Sequence, residues 1–534
     1  MRARYFRIYS FAVLFALGVC PGAAAQSLRV GNGPEVETLD PQRARSVSAF
    51  NILRDLYEAL IRVGADGELI PGAAEGWEVS GDGLIYRFHL RADARWSNGD
   101  AVTADDFVAG MRRTLLPATG SSFAQMLTPI RGAAAIIRGE LQPEALGVRA
   151  LSPLELEIQL DAPAPQLLGV LTQAATYPIH RPSLQRYGAD FARAGRLIGN
   201  GAYALDAWVM QSHVSLRRNP YYWDAKDVGI DAVTYYPTED INSEYKRYRA
   251  GELDVTYEVP PVQIAQIRRE RAAELHVAPY LGVYYYGLNL TRAPFSGNPK
   301  LRQALSMAID RKLIVDKVLN GLALPAYGWV PPGVTGYPPQ QPVWAQLSRE
   351  QQLAEARRLF AESGYGPRHP LELEIRFNTH ESHQRVATVI AAMWKQTLGV
   401  TTRLVNEEFK VFINHRKQRR LTQVFRSVWI ADYNDPSSFT DILYSSHGQN
   451  DTGWSSPAYD ARIDAAREQP VLRTPMLQAA ERLIFDEVPV IPIYFYVSKH
   501  LVQSRVIGWR DNVLDYHYTR DLRLEAHAPT EPGS

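Results

Sequence analysis

Two opposite charges frame the stretch Phe425-Arg-Ser-Val-Trp-Ile-Ala-Asp-Tyr-Asn-Asp435, with Arg426 near its start and Asp432 near its end. Phe425, Val428, Trp429 and Ile430 are strand-favouring types, and Tyr-Asn-Asp-Pro closes the run with a turn signal. At a two-residue period Arg426, Val428, Ile430 and Asp432 share one side of that strand, while Phe425, Ser427, Trp429 and Ala431 share the other. At roughly 3.3 Å per residue the two charged positions lie about 20 Å apart, too far for a salt bridge. Such a pair suits recognition: an extended peptide of about three to five residues spans the gap, its ammonium at Asp432 and its carboxylate towards Arg426. The competing reading makes Asp432 a helix cap and leaves Arg426 solvated. Asp435 is the better cap, because Pro436 suits a first helical position. Asp432 is then left without a structural task.

The elements that must position these groups form a long chain. At 534 residues it predicts about three domains, and one core cannot serve them all. Arg2, Arg4 and Arg7 precede the apolar run Phe11–Val19, and Ala23-Ala24-Ala25 follows, which reads as a secretory signal peptide over residues 1–25 cut before Gln26. The apolar run is too short to span a bilayer. An exported, periplasmic protein is expected. The single cysteine, Cys20, falls in the leader behind Val19, a poor residue to precede a lipid-modified cysteine, so neither lipid anchoring nor a disulfide is expected. Removing the leader arginines turns the formal net charge of +1 slightly negative, which gives no reason to expect nucleic acid or anionic lipid as a partner.

In order, Leu28–Gly31 reads as a strand, Asn51–Leu60 as a helix, and Glu75–Val79 with Leu84–Leu90 as a hairpin turned at Ser80-Gly81-Asp82-Gly83. Thr103 with Asp106, and Ser348 with Gln351, are capping-box pairs. Ser243–Ala250 reads as a helix and Leu253–Val255 as the strand after it. From Leu371 onward, strand, helix to Gly399, strand Val400–Val405, helix Phe409–Arg419 and the Arg426 strand make a βαβαβ order, which predicts a largely parallel sheet. A helix over Pro475–Glu487, a strand over Val490–Val497 and a return segment, Arg505–Leu524, complete the chain.

Several ordered motifs carry a family resemblance. They are Asp40-Pro41 behind the first strand, the string Trp96-Ser-Asn-Gly to Thr-Ala-x-Asp-Phe107, Asn200-Gly-Ala-Tyr203, Asn219-Pro-Tyr-Tyr-Trp223, Pro325-Ala-Tyr-Gly328, Val405-Asn-Glu-Glu408 and Ala431-Asp-Tyr-Asn-Asp-Pro436. From Leu28 to about Leu524 the chain resembles the bacterial extracellular solute-binding proteins of peptide importers, family 5, dipeptide and oligopeptide type. The resemblance implies an α/β, periplasmic-binding-protein-like fold with two main α/β lobes closing on a cleft and an extra α+β lobe. It implies a discontinuous first lobe (26–47, 181–281 and 500–534), an extra lobe (48–180) and a third lobe (282–499) carrying the residues for the ligand's termini.

Carried over residue by residue, Asp432 resembles the family aspartate for the peptide ammonium, and Arg426, Arg416 and His383 resemble the basic groups for its carboxylate. Lys417 competes with Arg416 for that part. The backbones of Glu35, Val36 and Glu37 and of Ser427, Val428 and Trp429 would flank the peptide as strands, with main-chain pairing that does not read side chains. Short peptides and a membrane ATP-binding-cassette (ABC) importer are the implied partners, the protein is expected to be a monomer, and no metal or cofactor is expected. Three departures from the family pattern fall at four positions. Half-cystines fall at Gly282 and Ile430, an acidic residue at Gly287 and a lysine at Leu319.

An exported hydrolase finds no support in Gly-x-Ser-x-Gly or His-Glu-x-x-His, and His380-x-x-His383 without further ligands is a weak metal signal best read as a helix start. A different cargo in the same fold, such as a murein tripeptide, dipeptide, haem or metal chelate, stays open. Asp432 favours a ligand with a free amino group. The tyrosines 284–286 read as sheet core.

Overall fold

The computed structural model describes residues 26–525; the expected leader and Cys20 lie outside them. The larger sheets use, in chain order, β1 (Ser27–Gly31), β2 (Ala74–Val79), β3 (Ile85–Leu90), β4 (Val148–Ser152), β5 (Glu155–Gln159), β6 (Tyr203–Val209) and β7 (His213–Arg218). They continue with β8 (Ala232–Tyr236), β9 (Leu275–Leu288), β10 (Leu324–Pro325), β11 (Glu372–Asn378), β12 (Thr401–Glu407), β13 (Val424–Ile430) and β14 (Val490–Leu501). The strand orders are β1-β8-β7-β6, β2-β3-β5-β4 and β10-β14-β9-β13-β11-β12.

The second sheet is the hairpin the alternation predicts. Tyr86, Phe88 and Leu90 are buried along β3 while Arg87 is exposed. Beside it, helix Ala104–Leu115 starts with both halves of the Thr103–Asp106 capping box, and Asp106 also accepts from the Trp96 indole and the Arg181 guanidinium. The Trp-Ser-Asn-Gly to Asp-Phe motif is therefore scaffold. The first and second sheets share one core, in which Leu28 and Val233 belong to the same cluster as Phe88 and Ile158.

The βαβαβ order holds for β11, β12 and β13, but the third sheet is mixed and not largely parallel as expected, because β9 pairs antiparallel with β13 and β14, and β10 pairs antiparallel with β14. β11 pairs in parallel with β12 and with β13, and helix Glu381–Leu398 stops at Gly399, whose φ of 74° a residue with a Cβ rarely adopts. One face of this sheet packs Tyr284, Tyr286, Ile375 and Trp394, and the other packs Val283, Tyr285, Trp329 and Phe439. The three tyrosines are core, as their setting in the sequence suggested.

Two long strands connect the bodies. Leu275–Pro279 of β9 pairs with Val497–Leu501 of β14, beside a cluster holding Tyr245, Tyr248 and Leu253. Beyond an irregularity between Pro279 and Val283, the same strand runs on between β13 and β14. The expected lobe junctions at 281/282 and 499/500 thus fall inside strands. β14 extends past the expected Val497 because this pairing continues.

Two local expectations are displaced. The first helix is Val47–Leu56 instead of Asn51–Leu60, because the Ser46 hydroxyl caps it by accepting from Ala49 N at 3.1 Å. Leu253–Val255 is no strand. Only Val255 bridges, to Val30 and Val502, while Asp254 turns into ion pairs with Arg29 and Arg505.

Candidate ligand-binding site

β13 pairs with β9 along its whole length, Val424 to Ile430, but with β11 only at Val424 and Phe425. From Arg426 onward its second edge has no ladder partner among the described residues. An unpaired strand edge exposes N–H and C=O groups that another extended chain can pair with. The same strand borders a cavity of about 320 Å³. Val428 and Ile430 line that cavity from β13, Leu28, Val30 and Gly31 line it from β1, and Tyr496 to His500 line it from β14. Arg426 shares the strand face of Val428 and Ile430, and Asp432 follows just beyond the strand's end, so the two charges lie before and after the residues that line the cavity.

Arg426 is only 8% exposed and forms no ion pair among the described residues. Its Nη1 donates to Asn378 Oδ1 at 3.3 Å, its guanidinium lies 5.0 Å from the Tyr284 ring centre, and its Nε has no acceptor. Burial opposes its charge, but the tyrosines 496, 284 and 494 around it hold the proton more firmly than usual. A buried cation without a counter-ion is costly and is met by an incoming anion.

His383 packs beside it, its ring 5.6 Å from Tyr284 and its Nδ1 without a partner. Burial first, then the Arg426 charge, lowers its pKa to about 3. It offers a neutral N–H, not the positive charge implied by the resemblance. His380 caps the helix by accepting from Ser382 N, so its pairing with His383 is a helix start. Arg416 has its charge engaged. It lies 2.6 Å from Asp451, and its Nη1 donates to Ser427 Oγ at 3.0 Å. Lys417, its competitor, is exposed.

At the other end, the Asp432 carboxylate has no hydrogen bond or ion pair among the described residues, while its backbone is held on both sides. Asp432 N donates to Ser438 Oγ at 3.3 Å, and its carbonyl accepts from Gln173 Nε2 at 2.5 Å and from the Tyr516 hydroxyl at 3.5 Å. Burial alone lifts the carboxyl to a pKa of about 6. Asp435 is spent structurally, as expected, accepting from Ser437 N at 2.8 Å and binding Arg473 through both oxygens.

The flank expected from Glu35–Glu37 takes a different form. These residues follow β1 as irregular chain, because both carboxylates fold back. Glu35 accepts from Trp208 Nε1 and Gln211 N, and Glu37 accepts from Arg45 N and Ser46. Val36 is buried between them, and the cavity is lined from this side by β1 itself. Of the opposite flank, Val428 lines the cavity, Ser427 is buried under Arg416, and Trp429 joins a core cluster with its indole N–H unpartnered.

The three departures from the family pattern are filled by apolar packing. Gly282 stands opposite Ile430 in the β9–β13 ladder, and the Ile430 side chain fills the space above it. Gly287 stands opposite Phe425, whose ring comes within 2.1 Å of where a Cβ would be. Leu319 packs on the third-sheet core. Sequence reasoning missed the polar wall of Lys499, His500, Asp515 and His517. It saw Arg505–Leu524 only as a return segment, and nothing local marks which side of an irregular turn faces a cavity.

Residues 68–451 match the family model of bacterial extracellular solute-binding proteins, family 5, middle region. The chain belongs to this family. This solute-binding protein is 36% identical over 511 residues to the periplasmic oligopeptide-binding protein OppA of Escherichia coli, covering 95% of this chain and 94% of that one. It is 35% identical to the Escherichia coli murein tripeptide-binding protein MppA, whose structure superimposes with a TM-score of 0.83 over 95% of this chain and 99% of that one. Haemophilus influenzae OppA, solved in complex with the peptide RPPGFSPFR, gives a TM-score of 0.80 at 33% identity, over 94% and 99% of the two chains. The solute-binding protein thus has the multi-lobed α/β fold of the periplasmic peptide-binding proteins. No helix among its described residues is long and apolar enough to cross a membrane.

Proposed function

We propose that this solute-binding protein is a periplasmic receptor that captures short extended peptides between its lobes and delivers them to an ABC-type peptide importer. The single observation that carries the reading is the unpaired edge of β13, bracketed by two charges without counter-ions, Arg426 and Asp432. The peptide pairs its main chain with that edge, sets its ammonium on Asp432 and turns its carboxylate towards Arg426, with His383 adding a neutral hydrogen bond. About three to five residues fit this span. Arg416, neutralised by Asp451, serves peptides of other lengths only if that pair opens. The three lobes (26–47 with 181–281 and 500–534; 48–180; 282–499) close on the ligand as a monomer, and the importer recognises the closed form. No covalent step is involved.

A murein tripeptide is the second reading. It is favoured by the similarity to MppA and by the loss of an acidic and a basic group at Gly287 and Leu319. Native mass spectrometry of protein purified from cells, with sequencing of what denaturation releases, separates the two. A ladder of mixed short peptides supports the general receptor, whereas one mass containing D-amino acids replaces it with the murein reading. A mature protein that carries no peptide and binds none added would sink both.

A further inference from the structure

One group of side chains on the cavity wall has no part in holding the ends of a peptide. His500 Nδ1 lies 2.9 Å from the Thr256 carbonyl oxygen, which can only accept, so Nδ1 carries a hydrogen. His500 Nε2 then faces both oxygens of Asp515, at 3.0 and 3.1 Å. A carboxylate also only accepts, so this contact is favourable with a second proton on the ring or with a cation between the two groups. His517 Nε2 approaches the same Asp515 Oδ1 at 3.0 Å. One carboxylate thus faces two imidazole nitrogens, and the three donor atoms lie within 4.8 Å of one another.

The surroundings hold these groups in place. The Thr256 carbonyl fixes the tautomer of His500 with Nε2 towards Asp515, the outer-sphere contact that orients metal-binding histidines. Trp509 stacks on His517 at 3.7 Å and meets His500 edge-on at 5.4 Å. Asp515 adopts a φ of 56°, a left-handed backbone uncommon away from glycine, which aims its carboxylate between the rings. All three residues line the cavity that β13 faces.

We propose that His500, Asp515 and His517 form a binding site for a borderline divalent cation of the zinc type on the wall of the ligand cavity. Imidazole and carboxylate ligands suit such an ion, and three protein donors leave a position of a four-coordinate ion unfilled on the cavity side. On binding, the Nε2 proton of a charged His500 leaves to solvent, and His517 moves its hydrogen from Nε2 to Nδ1, so that both Nε2 lone pairs and one Asp515 oxygen face the ion. Nearby charges act in both directions. Lys499 and Arg54 oppose added positive charge, Glu244 favours it, and Lys499 is itself paired with Glu258 at 2.6 Å. His276 and Asp511 pair with each other on the far side of Trp509.

The test needs no peptide, so its failure is independent of the peptide reading. Zinc is titrated calorimetrically into the mature protein without an affinity tag, and cobalt is followed by visible absorption. One ion per chain is expected, with affinity rising with pH because the ion displaces protons from its ligands. His517→Phe keeps an aromatic ring on Trp509 and should weaken zinc by more than roughly tenfold, as should Asp515→Asn, while His383→Gln leaves it unchanged. No stoichiometric zinc binding would overturn the proposal, as would equal affinity in folded His517→Phe and Asp515→Asn. The trio would then be a protonated ion-pair tether.

Discussion

Burial raises the Asp432 carboxyl to a pKa of about 6, with no neighbouring charge contributing. In the unliganded protein this group binds its proton more tightly than in the unfolded chain. Between the ordinary aspartate value of about 3.9 and the folded value, stability therefore falls as pH rises. A ligand ammonium reverses the preference, because it binds the carboxylate and not the acid. Peptide affinity should be flat above neutrality and weaken by about tenfold per pH unit below the Asp432 pKa. Asp432→Asn should bind weakly with no such slope. Asp432→Ala should cost about 2–5 kcal/mol, mostly as faster dissociation, because it leaves a buried ammonium unpaired. Calorimetry from pH 4.5 to 8 on the three proteins checks this, and an unchanged slope in Asp432→Asn places the ammonium elsewhere.

The β9–β13 ladder shows how one element accommodates a change at a second. Gly287 has no room for a Cβ because the Phe425 ring, 1% exposed, occupies the space across the strand pair. Gly287→Ala should therefore lower stability by about 1–3 kcal/mol, the usual cost of overpacking a core. In a Phe425→Leu background the added cost should shrink, and urea unfolding of the four members of the cycle measures the coupling. Additive effects would mean that the ring moves aside freely. Nothing in Gly287 or Phe425 alone announces this contact, which arises only from the register Gly287 opposite Phe425. What was legible in the sequence was local. The Thr103–Asp106 and Ser348–Gln351 boxes start their helices, Gly399 stops one, and the alternating strands and βαβαβ order appear where periodicity put them. What was not legible depends on distant partners. Asp451 neutralises Arg416, burial strips His383 of its charge, and β11 stops pairing after Phe425 and leaves the edge of β13 free.

At the scale of the molecule, the contact between the second-sheet body and the Asp432 loop runs through Gln173. Its Nε2 donates to the Asp432 carbonyl at 2.5 Å and reaches the Tyr516 hydroxyl at 3.2 Å, while Gly169 leaves Tyr433 room to pack against it. β9 and β14 connect the cores on either side, and their pairing is irregular between Pro279 and Val283 and between Tyr284 and Tyr285. If Gln173 makes these bonds only when the bodies are together, they contribute to closure and not to the stability of either body. Gln173→Ala should then weaken every peptide by a similar factor, about 1 kcal/mol for a net hydrogen bond, without altering which peptides are preferred. The unliganded protein should melt at an unchanged temperature, whereas the liganded one should lose part of its stabilisation, which amounts to about 2.7 kcal/mol at a ligand concentration one hundred times Kd. Small-angle scattering should show a smaller compaction on adding peptide. An equal drop in the melting temperature with and without peptide would instead make Gln173 part of a permanent contact, with closure occurring between the third-sheet body and the other two.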